Sequence, residues 1–434
     1  MSAGETIPRV RQKALDLNLD PLFYGSIAEI GAGQEVARHF FQAGGASGTI
    51  AKTLSAYDSN FSDAIYGHDE SGRYVTRSRL ENMLDKELDL VIERVTRTRP
   101  AGSTFFAFAD TVAARAFKAD RECHGWMGIS FQDVPCAAPS RVVLHVRMLD
   151  ETNQAQQEAL GILGVNLIHA AYKHARDASG LLDALRDDLS WGRIEIDFVH
   201  FGGPCFSAVD DRIMNLRLVT SSLGPVATFG PDGRAAVPHD ITHRSDVLIL
   251  RGTFRPFLKV HSDMIRHGCE TFAREIGKPT SDFTVLCEMN VARQLSEGID
   301  ESSDLVERIE AIAAAGHSSM ITSHLRYFRL SEYFSRYARR TIGFILSVDN
   351  LYSIFDDRYY EGLEGGTLEA MGKLFSSNSK LLVYPNLREG RVVTASSIDL
   401  PETVRHLYQH LVHNRRILPL EPPPGILVPF EPDG

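Results

Sequence analysis

The chain has 434 residues, 43% of them hydrophobic and 24% charged, with a formal net charge of −10. That length exceeds one ordinary core and suits two α/β domains or one large one, with enough apolar residues to fill them. The acidic balance and the lack of any clustered Lys/Arg run exclude a general nucleic-acid binder, since neutralising phosphates takes grouped cations. A local basic pocket for one phosphorylated small molecule stays open.

Five cysteines, at 123, 136, 205, 269 and 287, are scattered and form no CxxC pair. Neither a disulfide framework nor a metal site is expected from them. The opening "MSAGETIPRVRQKALDLNLD" has no apolar signal core, and no window is long enough to cross a bilayer. The expectation is a cytoplasmic protein with no membrane partner.

In chain order, a helix is expected over 9–19, a strand over 23–30 and a helix over 34–44. Residues 44–67 read as mixed loop and helix, followed by an amphipathic helix over 78–97. Strands at 104–111, 125–132 and 141–149 precede helices at 151–175 and 179–189, a strand at 193–201, a helix at 208–223 and a strand at 225–230. The turn-rich stretch 231–246 marks the expected boundary, giving an N-terminal α/β domain over 1–235 with Gly-rich segments.

Beyond it, strands at 247–250, 283–289, 318–323, 341–348 and 380–385 alternate with helices at 260–276, 302–315, 328–338, 350–356 and 366–376. That alternation predicts a mostly parallel sheet flanked by helices, a Rossmann-like domain over 245–390. Residues 391–434 are expected to form a helix and a Pro-rich tail without regular structure. Ligands of such sheets sit beyond the carboxyl ends of the strands, so Gly252–Arg255, Glu288–Asn290, Ser323–Arg326 and Val348–Asn350 form the expected rim.

Several motifs bear on chemistry. "EIGAGQEVARHFF" leads a strand into Gly31-x-Gly33 and a helix, a partial dinucleotide fingerprint in which the third glycine is Val36. Asp58 and Asp63 are distant acidic candidates for a ribose. In "GGASGTIAKTLSAYD" the Walker spacing fails, because positions 46 and 51 are alanine. Lys52, with Thr53, Ser55, Tyr57 and Asp58, still forms a polar cluster that fits either catalysis or a hydrated face. His124 in "CHGWMG" and Asp110 at the end of "FAFAD" are candidate acid–base groups.

The stretch "ILRGTFRPFLKVHSDMI" (249–265) partly matches the G-x-F-x-P-x-H-x-G-H turn of HxGH-type nucleotidyltransferases. Gly252, Phe254, Pro256 and His261 fit, whereas Leu258 and Val260 replace the first histidine and the glycine. Such a turn offers helix N-terminal amides to phosphate. The competing reading is a plain strand–turn–helix corner.

Together, "AEIGAGQEVARHFFQAG", "TIAKTLSAYD", "SDAIYG", "FFAFADTVAAR", "HGWMGISFQ", "LHVRMLDETNQAQQEALGILGVNLIHAA", "RGTFRPF" and "GGTLEAMGKLF" resemble a widespread bacterial family over residues 15–385. Its members carry the labels nicotinate-nucleotide adenylyltransferase or TonB-dependent receptor. The receptor label conflicts with the long helical regions, which have no place in a barrel wall. The other label implies a nucleotidyltransferase moving an adenylyl group from ATP, with Mg²⁺, to a mononucleotide such as nicotinate mononucleotide. Gly252 and Thr253 would then offer backbone donors, His261 and Arg255 would stabilise phosphate charge, and Arg326 would clamp phosphate. Two alternatives stand beside it: an N-terminal site around Lys52, Asp110 and His124, and a non-catalytic homo-oligomeric scaffold.

Overall fold

The computed structural model describes residues 9–421, apart from 32, 57, 70–71, 114–122, 191, 243–244, 298–301, 337–339, 377 and 389. Tyr57 and the tail from 422 therefore lie outside the described residues. The chain divides into two compact units at Gly224/Pro225.

The N-terminal unit runs α1 (Arg9–Asn18), β1 (Phe23–Gly31), α2 (Val36–Ala43), β2 (Ile50–Ala56), α3 (Ser59–Tyr66), α4 (Arg77–Val95), β3 (Thr104–Ala113), β4 (His124–Phe131), β5 (Ser140–Met148), α5 (Asn153–Lys173), α6 (Ala178–Ala184), β6 (Ile194–Gly202) and α7 (Asp211–Thr220). Its sheet has the order β2-β1-β3-β4-β5-β6. The first three strands are parallel and the rest antiparallel. Both faces are covered, which is why the central strands read as unbroken apolar runs. Leu88 and Val91 of α4 pack on Tyr24, Phe105 and Ala107. Ile27, Phe106, Phe108, Met127 and Ile129 point the other way, into a core shared with α1, α2 and α5.

Within that core α5 is buried nearly all round, and Gly164 lets α2 approach it. A Cβ at Gly164 would stand 2.3 Å from Val36 Cγ2. Lys13, buried on α1, donates to Asn166 Oδ1 of α5 at 2.8 Å, so its ammonium is satisfied inside the fold.

The C-terminal unit runs β7 (Val226–Phe229), β8 (Ala235–Ala236), α8 (Pro238–Thr242), β9 (Asp246–Arg251), α9 (Lys259–Ile276), β10 (Phe283–Asn290), α10 (Ala292–Glu297), α11 (Ser302–Ala314), β11 (Ser318–Thr322), α12 (Tyr327–Ser335), β12 (Ile342–Ser347), α13 (Val348–Ile354), α14 (Gly366–Leu374), β13 (Ser379–Tyr384), β14 (Asn386–Arg388), β15 (Arg391–Val393), α15 (Glu402–His413) and β16 (Ile417–Pro419). The main sheet has the order β16-β13-β12-β9-β10-β11-β7-β8. Its parallel strands, numbered by appearance, read 3-2-1-4-5-6 from β11 to β16. That is the order of a doubly wound dinucleotide-type sheet, with its switch point between β9 and β12. Val247, Ile249, Phe344 and Leu346 face the helices α12 to α15. Leu248 and Ile345 face α9 on the opposite side.

The expected α/β class, in two halves with a mostly parallel C-terminal sheet flanked by helices, is the observed one. Three details differ. Residues 50–56 form the strand β2 rather than loop and helix: as an edge strand it exposes alternate residues, which weakened its apolar signal. The unit boundary precedes the expected 231–246, because β7 and β8 join the C-terminal sheet through antiparallel pairing with β11. Residues 417–419 form β16, parallel to β13, where an unstructured tail was expected from 418. No described helix is long and apolar enough to cross a membrane.

Candidate functional site

The rim beyond β9, β10 and β11 is organised by Arg251, the last residue of β9. Its guanidinium forms a two-point pair with Glu288 of β10, Nε to Oε2 at 2.5 Å and Nη2 to Oε1 at 3.1 Å. Strand register sets the pair, because Arg251 and Glu288 are direct neighbours across parallel strands. Glu288 is fully buried and also accepts from Thr322 Oγ1 of β11 at 2.5 Å. The same arginine donates to the carbonyls of Leu325 (2.7 Å) and His324 (2.9 Å) and lies 4.5 Å over the Tyr327 ring. A buried ion pair thus fixes the loop after β11.

That loop borders a cavity of about 500 Å³, lined among others by His324, Arg326, Arg329, Arg336 and Glu361. Arg326 is the N-cap residue of α12 and makes no side-chain cap bond. Among the described residues its guanidinium pairs with no carboxylate, and it lies 5.6 Å and 5.8 Å from the Tyr359 and Tyr360 rings. The first amides of α12 have no intrahelical acceptor. His324 is pushed down to about 4, first by burial and then by the charges of Arg336, Arg251 and Arg329. It is therefore neutral at physiological pH, mainly because it is buried, with the positive field of the three arginines adding to the shift. A neutral imidazole, an arginine, helix-end amides and that field together suit an anion such as phosphate.

The Gly252–His261 turn is placed differently from the expectation. The Gly252 amide donates to the Glu288 carbonyl at 3.1 Å. The Thr253 carbonyl accepts from Arg308 at 3.2 Å, and Arg255 pairs with Asp304 at 2.7 Å. His261 is only 4% exposed. Its Nδ1 accepts from the Leu258 amide at 2.9 Å, and its ring packs 5.0 Å from Phe254. The Gly252 amide and His261 are engaged inside the fold and the exposed Arg255 is paired with Asp304, so the turn is a capped strand–helix corner rather than the expected phosphate cradle.

In the N-terminal unit Gly31, Gly33 and Asp110 do converge, but against a dinucleotide. The Glu29 carboxyl accepts from the Val36 and Ala37 amides at 3.0 and 3.3 Å, occupying the start of α2 with an internal acceptor. Glu29 and Asp110 are neighbours across β1 and β3. Asp110 is fully buried, and among the described residues only the Ile30 amide stands near enough to favour its ionised form. Burial and the Glu29 charge push its carboxyl well above the usual range, only partly offset by the Ile30 amide. Burial likewise lifts Glu29 to about 7. A pyrophosphate would meet two acidic groups where it needs donors, which overturns Gly31 and Gly33 as cofactor ligands. A Cβ on Gly33 would stand 2.4 Å from Asp110 Oδ2. Gly33→Ala is accordingly expected to cost about 1–3 kcal/mol through overpacking, read as a lower melting temperature.

Lys52, Asp110 and His124 do not form one site. Lys52 donates to the buried Glu87 of α4 at 3.0 Å, and Tyr66 donates to the same carboxylate at 2.8 Å. Asp58 caps α3 through the Phe61 amide, and Asp63 pairs with the buried Arg79. Asp110 pairs in register with Met127, three residues from His124, so the two side chains point to opposite faces. Lys52 shares a face with His124 but lies three strands away, and its row across the sheet runs through Ser26 and Ala107 to Ser130, six residues along β4 from His124. What the sequence did not show is Arg251, its pairing with the rim residue Glu288 and, around His124, the buried His145 and Asp197.

The fold is that of an α/β protein whose C-terminal unit is of the doubly wound class. No family model matches the chain, and no curated protein is similar to it. Among solved structures, the competence/damage inducible protein CihA from Agrobacterium tumefaciens is 18% identical, at a TM-score of 0.28, covering 39% of this chain and 98% of that one. The competence-damaged protein (CinA) superfamily protein from Enterobacter cloacae is 12% identical, at a TM-score of 0.24, covering 43% and 95%. The competence or damage-inducible protein from Enterobacter asburiae is also 12% identical, at 0.24, covering 42% and 98%. Scores this low carry no functional argument.

Proposed function

We infer that this protein is an enzyme acting on a phosphorylated small molecule, held in the C-terminal unit at the pocket beside Arg326. The observation that carries the reading is the Arg326 guanidinium, without a carboxylate partner among the described residues, at the N-terminus of α12 on a cavity of about 500 Å³. Within that class, the reaction put forward is adenylyl transfer from ATP to a mononucleotide such as nicotinate mononucleotide. Arg326 and the α12 amides would stabilise the charge that develops on the transferred phosphate. The described residues offer no cluster of three His, Cys, Asp or Glu for a metal. Mg²⁺ would therefore enter as part of the ATP substrate, liganded mainly by its phosphates.

A thermal-shift screen with ATP, NAD and nicotinate mononucleotide, with and without Mg²⁺, tests the reading. A ligand at a hundred times its Kd adds about 2.7 kcal/mol, a rise of roughly 5–10 °C for a unit of this size. The shift is expected in the native chain and is expected to fall by half or more in Arg326→Ala. No shift with any of the three ligands would contradict it.

A further inference from the structure

The two main sheets present four edges, and the chain closes three of them. β8 is two residues long, and β16 is three residues long and ends on Pro419. Strands that short, or ended by proline, offer little to a neighbouring strand. β6 has nine residues, but its outer backbone groups are taken up within the fold. The Val199 amide donates to Asn215 Oδ1 at 3.0 Å, and Asn215 Nδ2 donates back to the Val199 carbonyl at 2.7 Å. The Phe201 amide donates to Asp211 Oδ1 and the Ile196 amide to the Leu223 carbonyl, each at 2.9 Å.

β2 is the exception. It has seven residues and no proline, and it pairs on one side only, with β1. An edge strand turns a row of amides and carbonyls outward. Among the described residues, no hydrogen bond takes up that row in β2. Its one charged side chain does not guard the edge, because Lys52 is drawn to Glu87 of α4 at 2.7 Å. Thr53 and Ser55 are exposed and neutral. The register with β1 is irregular at Ala51 and regular from Lys52 to Ala56.

The two ends of this edge differ in charge. Arg99 donates to the Ser47 carbonyl at 3.4 Å, close to where β2 begins. Asp58, exposed at the N-cap of α3, lies just beyond where β2 ends. α3 packs on β2 and leaves its Phe61 56% exposed, so the surface flanking the edge is not wholly polar.

We propose that β2 is the contact through which two copies of this chain form a symmetric dimer, pairing antiparallel so that their N-terminal sheets run on as one. An antiparallel pair of identical strands is two-fold symmetric, so the interface closes at two chains. It brings the Asp58 end of each β2 to the Arg99 end of the other, whereas a parallel pairing would set like ends together. With the two-fold at Leu54, Thr53 faces the partner's Ser55 and Lys52 faces the partner's Ala56. Hydroxyls then meet across the pair and no like charges oppose. This surface is independent of the Arg326 pocket.

Sedimentation equilibrium of the full chain tests the dimer. At micromolar concentration the native chain is expected at twice the mass of one copy. Two double variants, Thr53→Lys with Ser55→Lys and Thr53→Glu with Ser55→Glu, set like charges opposite one another across the two-fold. Each alone is expected to raise the dissociation constant about tenfold or more. Both positions are exposed, so the circular dichroism spectrum is expected to stay native. Mixed in equal amounts, the two variants are expected to recover the dimer as a mixed pair, since opposite charges then face each other. A native chain that stays monomeric leaves the edge to a foreign strand and overturns the proposal. A dimer of native strength in either variant alone, or a mixture no tighter than its components, overturns it as well.

Discussion

Arg251→Met is expected to lower the unfolding free energy by about 3–5 kcal/mol, the range for breaking a buried ion pair from one side. Glu288 is fully buried, and Arg251 supplies both of its charge-assisted bonds from β9. Methionine fills much of the same volume, so the loss comes from the uncompensated carboxylate rather than from a cavity. The effect extends to the pocket, since the His324 and Leu325 carbonyls lose their donor. The double variant Arg251→Met, Glu288→Met removes both charges and is expected to recover most of the stability while still binding ligand poorly. Denaturant titration of the single and double variants checks both points. A single variant as stable as the native chain would remove the ion pair from the account of how the loop is held.

Asp110→Asn is expected to stabilise the protein at pH 8 and to do much less at pH 5. Folding lifts Glu29 from an ordinary 4.5 to about 7 and raises Asp110 in the same direction. Groups raised in this way favour folding below their unfolded values, and that advantage is lost as pH climbs through the folded ones. The window therefore runs from about 4.5 to 7 for Glu29 and continues upward for Asp110. A shift of this size on Glu29 alone is worth about 3 kcal/mol across the window. Asparagine is neutral at every pH, relieves the Glu29–Asp110 repulsion and offers an amide donor toward Glu29. Comparing the melting temperatures of variant and native chain at each pH isolates the pair from the other titrating groups. A difference that does not grow between pH 5 and pH 8 would contradict the assignment.

Much of the C-terminal unit was legible in the sequence. Runs such as "FTVLCEM", "TIGFILSV" and "KLLVYP" are apolar on both faces because helices cover both sides of their sheet. Their carboxyl ends correctly located Ser323–Arg326 on the rim, which includes the arginine that carries the functional reading. The edge strands β2 and β16 were missed, since half-exposed or three-residue strands leave little periodicity. The partners that give the sites their character were hidden for another reason. Arg251 and Glu288 are 37 residues apart, and His145 and Asp197 are 52 apart. Each pair is created by strand register, which no local motif records. The glycines at 31 and 33 misled in the opposite sense: they looked like a phosphate turn, yet Glu29 supplies the acceptor for the α2 amides from within the chain.

The central claim is that the C-terminal pocket holds a phosphorylated ligand through Arg326. Isothermal titration calorimetry of the full chain with ATP in Mg²⁺ tests it most directly. One ATP per chain is predicted, with affinity falling at least tenfold in Arg326→Ala and with rising salt, as expected for a charge-assisted contact. Binding of equal strength by the native chain and Arg326→Ala, or no binding of ATP to either, would contradict it.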